Sequence, residues 1–336
     1  MLPSWRSPVV ISALACIVLG GCTSSQPGSQ GKYYLVATNI KLPYWQESMA
    51  GLGRAAAELN VSAELVGPDT YEPREQHEEF QRILKKDPAG ILISVGDRRL
   101  MRADIDSAID RGIPVFTMDS DAEYSKRLLF IGTDNYKAGS LIATSVAKTL
   151  NGKGNVIVFT MPEQLNLVQR QTGLNDVFRS HPAIRVTRVV DMKGDPRVAF
   201  DAATEILQKP NQVDAFVCLE AIACAEIANV IDRNKVTGKL IVAMDTAPPT
   251  LEALKKGLIS ATVAQKPYTM AYVGLYMLHA LNNSKPKALD PSWNNQPFSP
   301  VPTFVDTGVT LVDTDNVDTF LKASSSAGSS NTTASK

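Results

Sequence analysis

The sequence predicts an α/β protein of two similar lobes, each a doubly wound parallel sheet flanked by helices. Three observations carry that expectation. Short apolar, β-branched runs alternate with helix-patterned stretches along most of the 336 residues, as in a series of βαβ units. Strand-patterned runs start at Tyr33, Val61, Gly90 and Ile113, and again at Asn155, Ile184, Asp214 and Leu240. The steps of about 23 to 30 residues each hold one strand and one crossover helix. Polar residues gather directly after these runs, at the strand ends where open α/β sheets keep their ligands.

The chain opens with Met1 to Gly21, which has one basic residue (Arg6), an apolar run from Val9 to Leu19 and small residues before Cys22. The pattern is that of a signal peptide. Its apolar run of about 11 residues is well short of the roughly 20 needed to span a bilayer. Leu19-Gly20-Gly21-Cys22 resembles the bacterial lipobox, which implies cleavage before Cys22 and acylation of its thiol; a plain secretory signal cleaved nearby is the alternative. Two or more acyl chains hold a protein at a membrane, whereas one is marginal. Residues 22–31 lack apolar side chains apart from Cys22 and form a flexible tether. Without residues 1–21 the chain has 33 basic and 34 acidic side chains, from 34 of each less Arg6, a formal charge of −1.

The first lobe is expected over 32–135 plus 266–290. Its strands lie near Tyr33 to Thr38, Val61 to Val66, Gly90 to Val95, Ile113 to Met118 and Leu128 to Ile131. A helix starts at Pro43, a residue suited to the first helical turn, and carries Trp45, Met49, Leu52, Ala56 and Leu59 on one stripe. The second lobe is expected over 136–265 plus 291–322. Its strands lie near Asn155 to Thr160, Ile184 to Val190, Asp214 to Leu219, Leu240 to Met244 and Ile259 to Ala264. One helix enters through Asp195 as cap and Pro196 at the first turn. Three chain crossings, near Tyr136, Lys266 and Asp290, form the hinge. Trp293 to Val312 reads as a further crossing and closing strand. Residues 323–336, poor in core formers, read as a disordered tail.

Composition narrows the function. Equal numbers of basic and acidic side chains, 34 of each, provide no global field to gather nucleic acid. No phosphate loop is present, because Gly51-Leu52-Gly53 lies within a helix pattern and Gly152-Lys153-Gly154 precedes a strand. His77, His181 and His279 lack metal-ligand spacing, and no Gly-x-Ser-x-Gly elbow occurs. Neither cofactor nor metal is expected. Cys16 leaves with the signal and Cys22 takes lipid, so Cys218 and Cys224 are the remaining pair. Six residues apart across a strand end and a helix start, they form either a disulfide, as export permits, or two small buried thiols.

The residues after each strand are Thr38-Asn39, Asp119-Ser120-Asp121, Glu220, Asp245 and Gln265, joined by Arg170 early in a helix and by Tyr44 and Trp45 at the mouth of the first. Carboxylates and amides accept or bridge hydroxyls, a guanidinium offers a planar fork of donors, and aromatic faces stack on apolar ring faces. Together these groups suit a sugar ring. Singly, each is as well explained as a helix cap or a core side chain.

From Lys32 to about Phe320 the chain resembles the type I periplasmic sugar-binding proteins, the ribose-binding group that serves ABC importers. The matching segments are Val36-Ala37-Thr38-Asn39 with Pro43-Tyr44-Trp45, Ile113-Pro114-Val115 ending at Asp119, and Gly132-Thr133-Asp134-Asn135. Arg170-Gln171-Thr172-Gly173, Val242-Ala243-Met244-Asp245 and Ala261-Thr262-Val263-Ala264-Gln265 follow in the family's order. The resemblance implies ligand contacts at Thr38, Tyr44, Trp45, Asp119, Arg170, Asp245 and Gln265. Two departures from the pattern involve Ser120 in place of a second arginine and Glu220-Ala221 in place of Asn-Asp, which adds Ser120 and Glu220 to the candidate site. With Asp121 included, four carboxylates would face Arg170, with Lys41 nearby. The alternative for Asp121 is a solvent-facing side chain.

The resemblance further implies a lipid-anchored, monomeric solute receptor at the periplasmic or cell surface. It would capture a monosaccharide or polyol and pass it to a membrane permease by hinge closure, with no catalysis. A receptor feeding a membrane kinase or chemoreceptor is the alternative on the same fold. A glycosidase using Asp119 and Glu220 is the enzymatic one.

Overall fold

Wholly buried runs build the first sheet of the computed structural model, which describes residues 31–284, 286 and 288–330. The signal peptide, Cys22 and nearly all of the tether expected over 22–31 lie outside those residues. β1 (Tyr33–Val36), β3 (Gly90–Ile93), β4 (Val115–Met118) and β5 (Leu129–Gly132) are buried along their whole length, as expected for parallel strands covered on both faces. β2 (Ala63–Val66) lies at the edge and is partly exposed. The intervening helices are α1 (Pro43–Leu59), α2 (Pro73–Leu84) and α3 (Arg98–Asp110). Both α1 and α2 begin with proline, whose missing N–H has no partner to lose there.

The second lobe repeats the plan. α4 (Asn135–Thr149), β6 (Lys153–Thr160), α5 (Leu165–Arg179), β7 (Ala183–Asp191), α6 (Pro196–Ile206), β8 (Ala215–Cys218), α7 (Ala223–Arg233), β9 (Leu240–Met244), α8 (Pro248–Lys255) and β10 (Ala261–Ala264) follow in sequence. As expected, Asp195 caps α6, its side chain accepting from Arg197 N. Neighbouring residues of β6 face opposite layers: Val156 and Val158 join one apolar cluster, Ile157 and Phe159 the other. The chain then passes through α9 (Pro267–Ser284), β11 (Phe304–Asp306), β12 (Thr310–Val312) and α10 (Val317–Ser330).

The two sheets have matching orders, β11-β5-β4-β3-β1-β2 and β12-β10-β9-β8-β6-β7. Each lobe's fifth strand sends its following helix to the other lobe. α4, after β5, packs on α5, β9 and β10, while α9, after β10, packs on α1, β3, β4 and β5. The crossings are therefore 133–134, 265–266 and 307–309. All strand pairs are parallel except β10 with β12. β12 starts directly after the third crossing, so it enters its sheet from the hinge side and runs against its neighbours.

Two expectations about the C-terminal region need correction. The third crossing lies about 17 residues later than Asp290, at 307–309, and residues 291–306 belong to the first lobe. β11 pairs with β5, the Phe304 ring stacks on Phe130 at 5.3 Å and 9°, and Val301 and Trp293 pack on the first core. The sequence signal was hidden because this strand has only three residues and is partly exposed. The expected break at Ala323 also falls within α10, which continues to Ser330. Alanine and serine are tolerated in a helix whose first turns are anchored, here by buried Val317 and half-buried Phe320 and Leu321. Residues 331–336 lie outside the described residues. Among the described residues, no helix is long and apolar enough to cross a membrane.

Candidate functional site

Asp119 follows β4 and Asp245 follows β9, the matching third strands of the two sheets. Both have left-handed backbone, with φ of 64° and 68°. Aspartate tolerates this region better than most residues, and backbone strain of this kind gathers at functional sites. The turn places Asp119 on a cavity between the lobes. It carries Ser120 away: that side chain is fully buried, its Oγ has no partner, and it is absent from the cavity wall. Ser120 is therefore removed from the expected contact set.

The other eight expected contacts, Thr38, Tyr44, Trp45, Asp119, Arg170, Glu220, Asp245 and Gln265, all line this cavity. It offers about 60 Å³ to the centres of water-sized groups, well beyond a single water site. Trp45 is 2% exposed and belongs to the first core as well as to the wall, meeting Tyr44 edge-on at 5.1 Å. It therefore packs in the core, as one of its two expected roles required, and also borders the cavity. Asp121 and Lys41 stay out. Arg127 grips Asp121 through Nε and Nη2 at 2.9 and 2.6 Å, and Thr117 donates to it at 2.5 Å, while Lys41 pairs with Asp69 at the surface, 3.7 Å away. The cavity thus holds three carboxylates, neither the four nor the nearby lysine that the sequence suggested.

Arg170 is 2% exposed and donates to three protein acceptors: Nε to Asn135 Oδ1 at 2.9 Å, Nη1 to the Leu219 carbonyl at 2.7 Å and Nη2 to Gln265 Oε1 at 2.8 Å. Gln265 Nε2 donates in turn to Asp245 Oδ1 at 2.9 Å. Asp119 accepts from Tyr44 Oη at 3.0 Å and Ser94 Oγ at 2.9 Å. Glu220 accepts backbone N–H groups of Ile222 and Ala223 at 2.6 and 3.0 Å, at the start of α7. That loop is bracketed by Cys218 and Cys224, which are joined as a disulfide with Cα atoms 5.8 Å apart.

Charge is unbalanced here, three carboxylates to one guanidinium, and burial sets the outcome. Desolvation pushes Glu220 up to about 7 against the two backbone N–H bonds, and Asp245 up to about 6 against the charge of Arg170. Burial raises Asp119 too, opposed by Arg170, Ser94, Tyr44 and Asn166. Carboxyl groups held so close to neutrality have unspent capacity for donors, and a ligand with several hydroxyls supplies them.

Sequence reasoning missed the groups that shut the cleft. Tyr71, Gln164, Asn166, Met161 and Ile222 also line it. Asn166 of the second lobe lines the cavity beside Asp119 of the first, whose pKa it helps to lower. A Cβ on Gly194 (φ 74°) would lie 2.4 Å from Tyr71, so the tyrosine ring of one lobe rests on bare backbone of the other. Arg99 and Glu163 pair across the mouth at 2.9 Å. The polar run Gln164 to Asn166 between β6 and Arg170 was the one usable signal, by the same strand-end rule. Tyr71 and Gly194 have none, since their partnership exists only across lobes. Among the described residues no cluster of three or more His, Cys, Asp or Glu is arranged to hold a metal ion.

Comparison with known proteins extends these observations. A family model described as the periplasmic binding protein domain matches residues 33–286. The D-allose-binding periplasmic protein of Escherichia coli (strain K12) is 24% identical over 272 residues, covering 78% of this chain and 88% of that one. AraP, an arabinose-binding protein from Geobacillus stearothermophilus, is 33% identical with a TM-score of 0.72, covering 87% of this chain and 99% of that one. GanP, a glucose-galactose-binding protein from the same organism, is 27% identical with a TM-score of 0.77, covering 85% and 98%. The two-lobed architecture is the type I periplasmic binding protein fold, and the chain belongs to the periplasmic binding protein domain family.

Proposed function

We propose that this protein is a lipid-anchored solute receptor of an ABC-type importer, which captures a monosaccharide or related polyol between its lobes and hands it intact to a membrane permease. The observation that carries the reading is the convergence of Tyr44, Asp119, Arg170, Glu220, Asp245 and Gln265 from both lobes on one buried cavity. Such a set, with the neighbouring Trp45, offers acceptors to ring hydroxyls, a few donors to ring oxygens and two aromatic side chains. It offers an anionic ligand little, because the one guanidinium is already engaged by three protein acceptors. The relatives are named for allose, arabinose, glucose and galactose, and all are neutral sugars. Lipid anchoring is supported by Leu19-Gly20-Gly21-Cys22. Contacts from both lobes favour the closed form by their differential affinity, and the closed form docks on the permease.

A thermal-shift screen against pentoses, hexoses, polyols, uronic acids and amino sugars tests the ligand class. A ligand that binds only folded protein raises its melting temperature. The expected result is a rise with at least one neutral sugar or polyol and none with uronic acids. A response to uronic acids alone overturns the proposal.

A further inference from the structure

We infer that Thr133, which does not line the cleft, is a positioning residue of the binding site: its hydroxyl fixes the Gln265 amide and ties the ligand contacts to the hinge. The inference rests on the cleft being the sugar site. Gln265 Oε1 accepts from two donors, Thr133 Oγ1 at 2.8 Å and Arg170 Nη2 at 2.8 Å. A carbonyl oxygen has two lone pairs, so this one is saturated. Its amide consequently has a single orientation, with Nε2 committed to Asp245 at 2.9 Å. Arg170, with three of its N–H groups bound to protein, keeps two of five for a ligand.

The position of Thr133 gives this bond its consequence. Thr133 is the first residue after β5 and Gln265 the first after β10, the matching strands of the two sheets. One hydrogen bond therefore joins two of the three crossings at equivalent points. Crossing segments absorb the backbone rotation when lobes move. Thr133 is 1% exposed, so its hydroxyl is committed to this buried bond. On the outer side, Thr133 and Asn135 border a hollow of about 340 Å³ together with Phe130, Tyr136, Gln169 and Phe304.

The test uses Thr133→Val, which keeps shape and removes the hydroxyl, Thr133→Ser, which restores it, Gln265→Leu, and the Thr133→Val/Gln265→Leu pair. D-Allose, D-ribose and D-arabinose are titrated calorimetrically into each. Thr133→Val is expected to weaken binding by about 5- to 30-fold, from the loss of one buried hydrogen bond. Thr133→Ser should stay within about 2-fold of the wild type, and the pair should bind no more weakly than Gln265→Leu alone, because the threonine acts through the glutamine. Wild-type affinity in Thr133→Val, or a loss that adds in full to that of Gln265→Leu, overturns the inference. Thr133→Ala takes the place of the valine variant should that one fail to fold. Spin labels at Lys85→Cys and Arg233→Cys, one on each lobe, give a second readout without sugar. The interlobe distance distribution should broaden in Thr133→Val and narrow again in Thr133→Ser; identical distributions count against the hinge link. Should none of the three bind wild-type protein, the sugar or polyol found in the thermal-shift screen takes their place; if that screen finds none, the sugar reading fails and the distances alone decide the role of Thr133.

Discussion

Glu220 and Asp245 show at the scale of single residues how position changes chemistry. Ordinary carboxyls with solution values of 4.5 and 3.8, they are carried by burial up to about 7 and about 6. In the folded state they hold protons that the unfolded chain has released across roughly pH 4 to 7. Stability therefore falls as pH rises through that window and levels off above it. A ligand that donates hydroxyls favours the charged carboxylates, so its binding releases protons and its affinity rises from about pH 5 to 7. Calorimetry near pH 6.5 in buffers of different ionisation enthalpy measures this release, and proton uptake on binding would refute the assignment. Asp121 presents the contrast. It stood in the same sequence cluster as Asp119, yet the Arg127 fork grips it away from the cavity. The sequence held both members of that pair, but six residues of irregular chain give no periodicity from which to match them.

Among the elements, the packing of α4 on α5 is what brings Arg170 to the crossing. A Cβ on Gly139 would sit 1.8 Å from the Arg170 carbonyl oxygen, and one on Gly173 would sit 2.0 Å from that of Tyr136. Backbone lies against backbone there, and no side chain larger than hydrogen fits. Gly139→Ala is expected to force the helices apart at a cost of about 1–3 kcal/mol. It should lower the melting temperature by several degrees and weaken sugar binding by moving Arg170. Gly53, on the exposed surface of α1, is the control, because a Cβ there would meet no atom within 4 Å. Gly53→Ala should be neutral or stabilising by about 0.5–1 kcal/mol. Calorimetric scans compare the two, and equal melting temperatures would remove the close-packing argument. The sequence placed Arg170 early in a helix, while Gly139 and Gly173 announced no partner.

For the whole molecule, matching strand orders place matching aspartates on facing edges, so acceptors from both lobes meet at one cavity. The contacts at the mouth, Tyr71 on Gly194 and Arg99 to Glu163, join the two lobes. Exposed pairs such as Arg99 with Glu163 contribute at most about 1 kcal/mol, so under the proposed closure mechanism the ligand's own contacts would decide the closed population. Small-angle scattering should show a smaller radius of gyration when a sugar from the thermal-shift screen is added. An unchanged radius with sugar bound would end the closure mechanism.

The sequence by itself determined the βαβ alternation, ten strands placed within a few residues of where they lie, and the strand ends and helix starts that supply eight of the nine expected residues to the cavity wall. Those features follow from local periodicity and turn chemistry, which act between near neighbours in the chain. Tertiary structure alone decided the exclusion of Ser120 and Asp121, the late third crossing at 307–309, the Tyr71–Gly194 closure and the Thr133–Gln265 bond. Each depends on groups far apart in sequence, or on the direction of a side chain at a strained turn, and neither leaves a periodic trace along the chain.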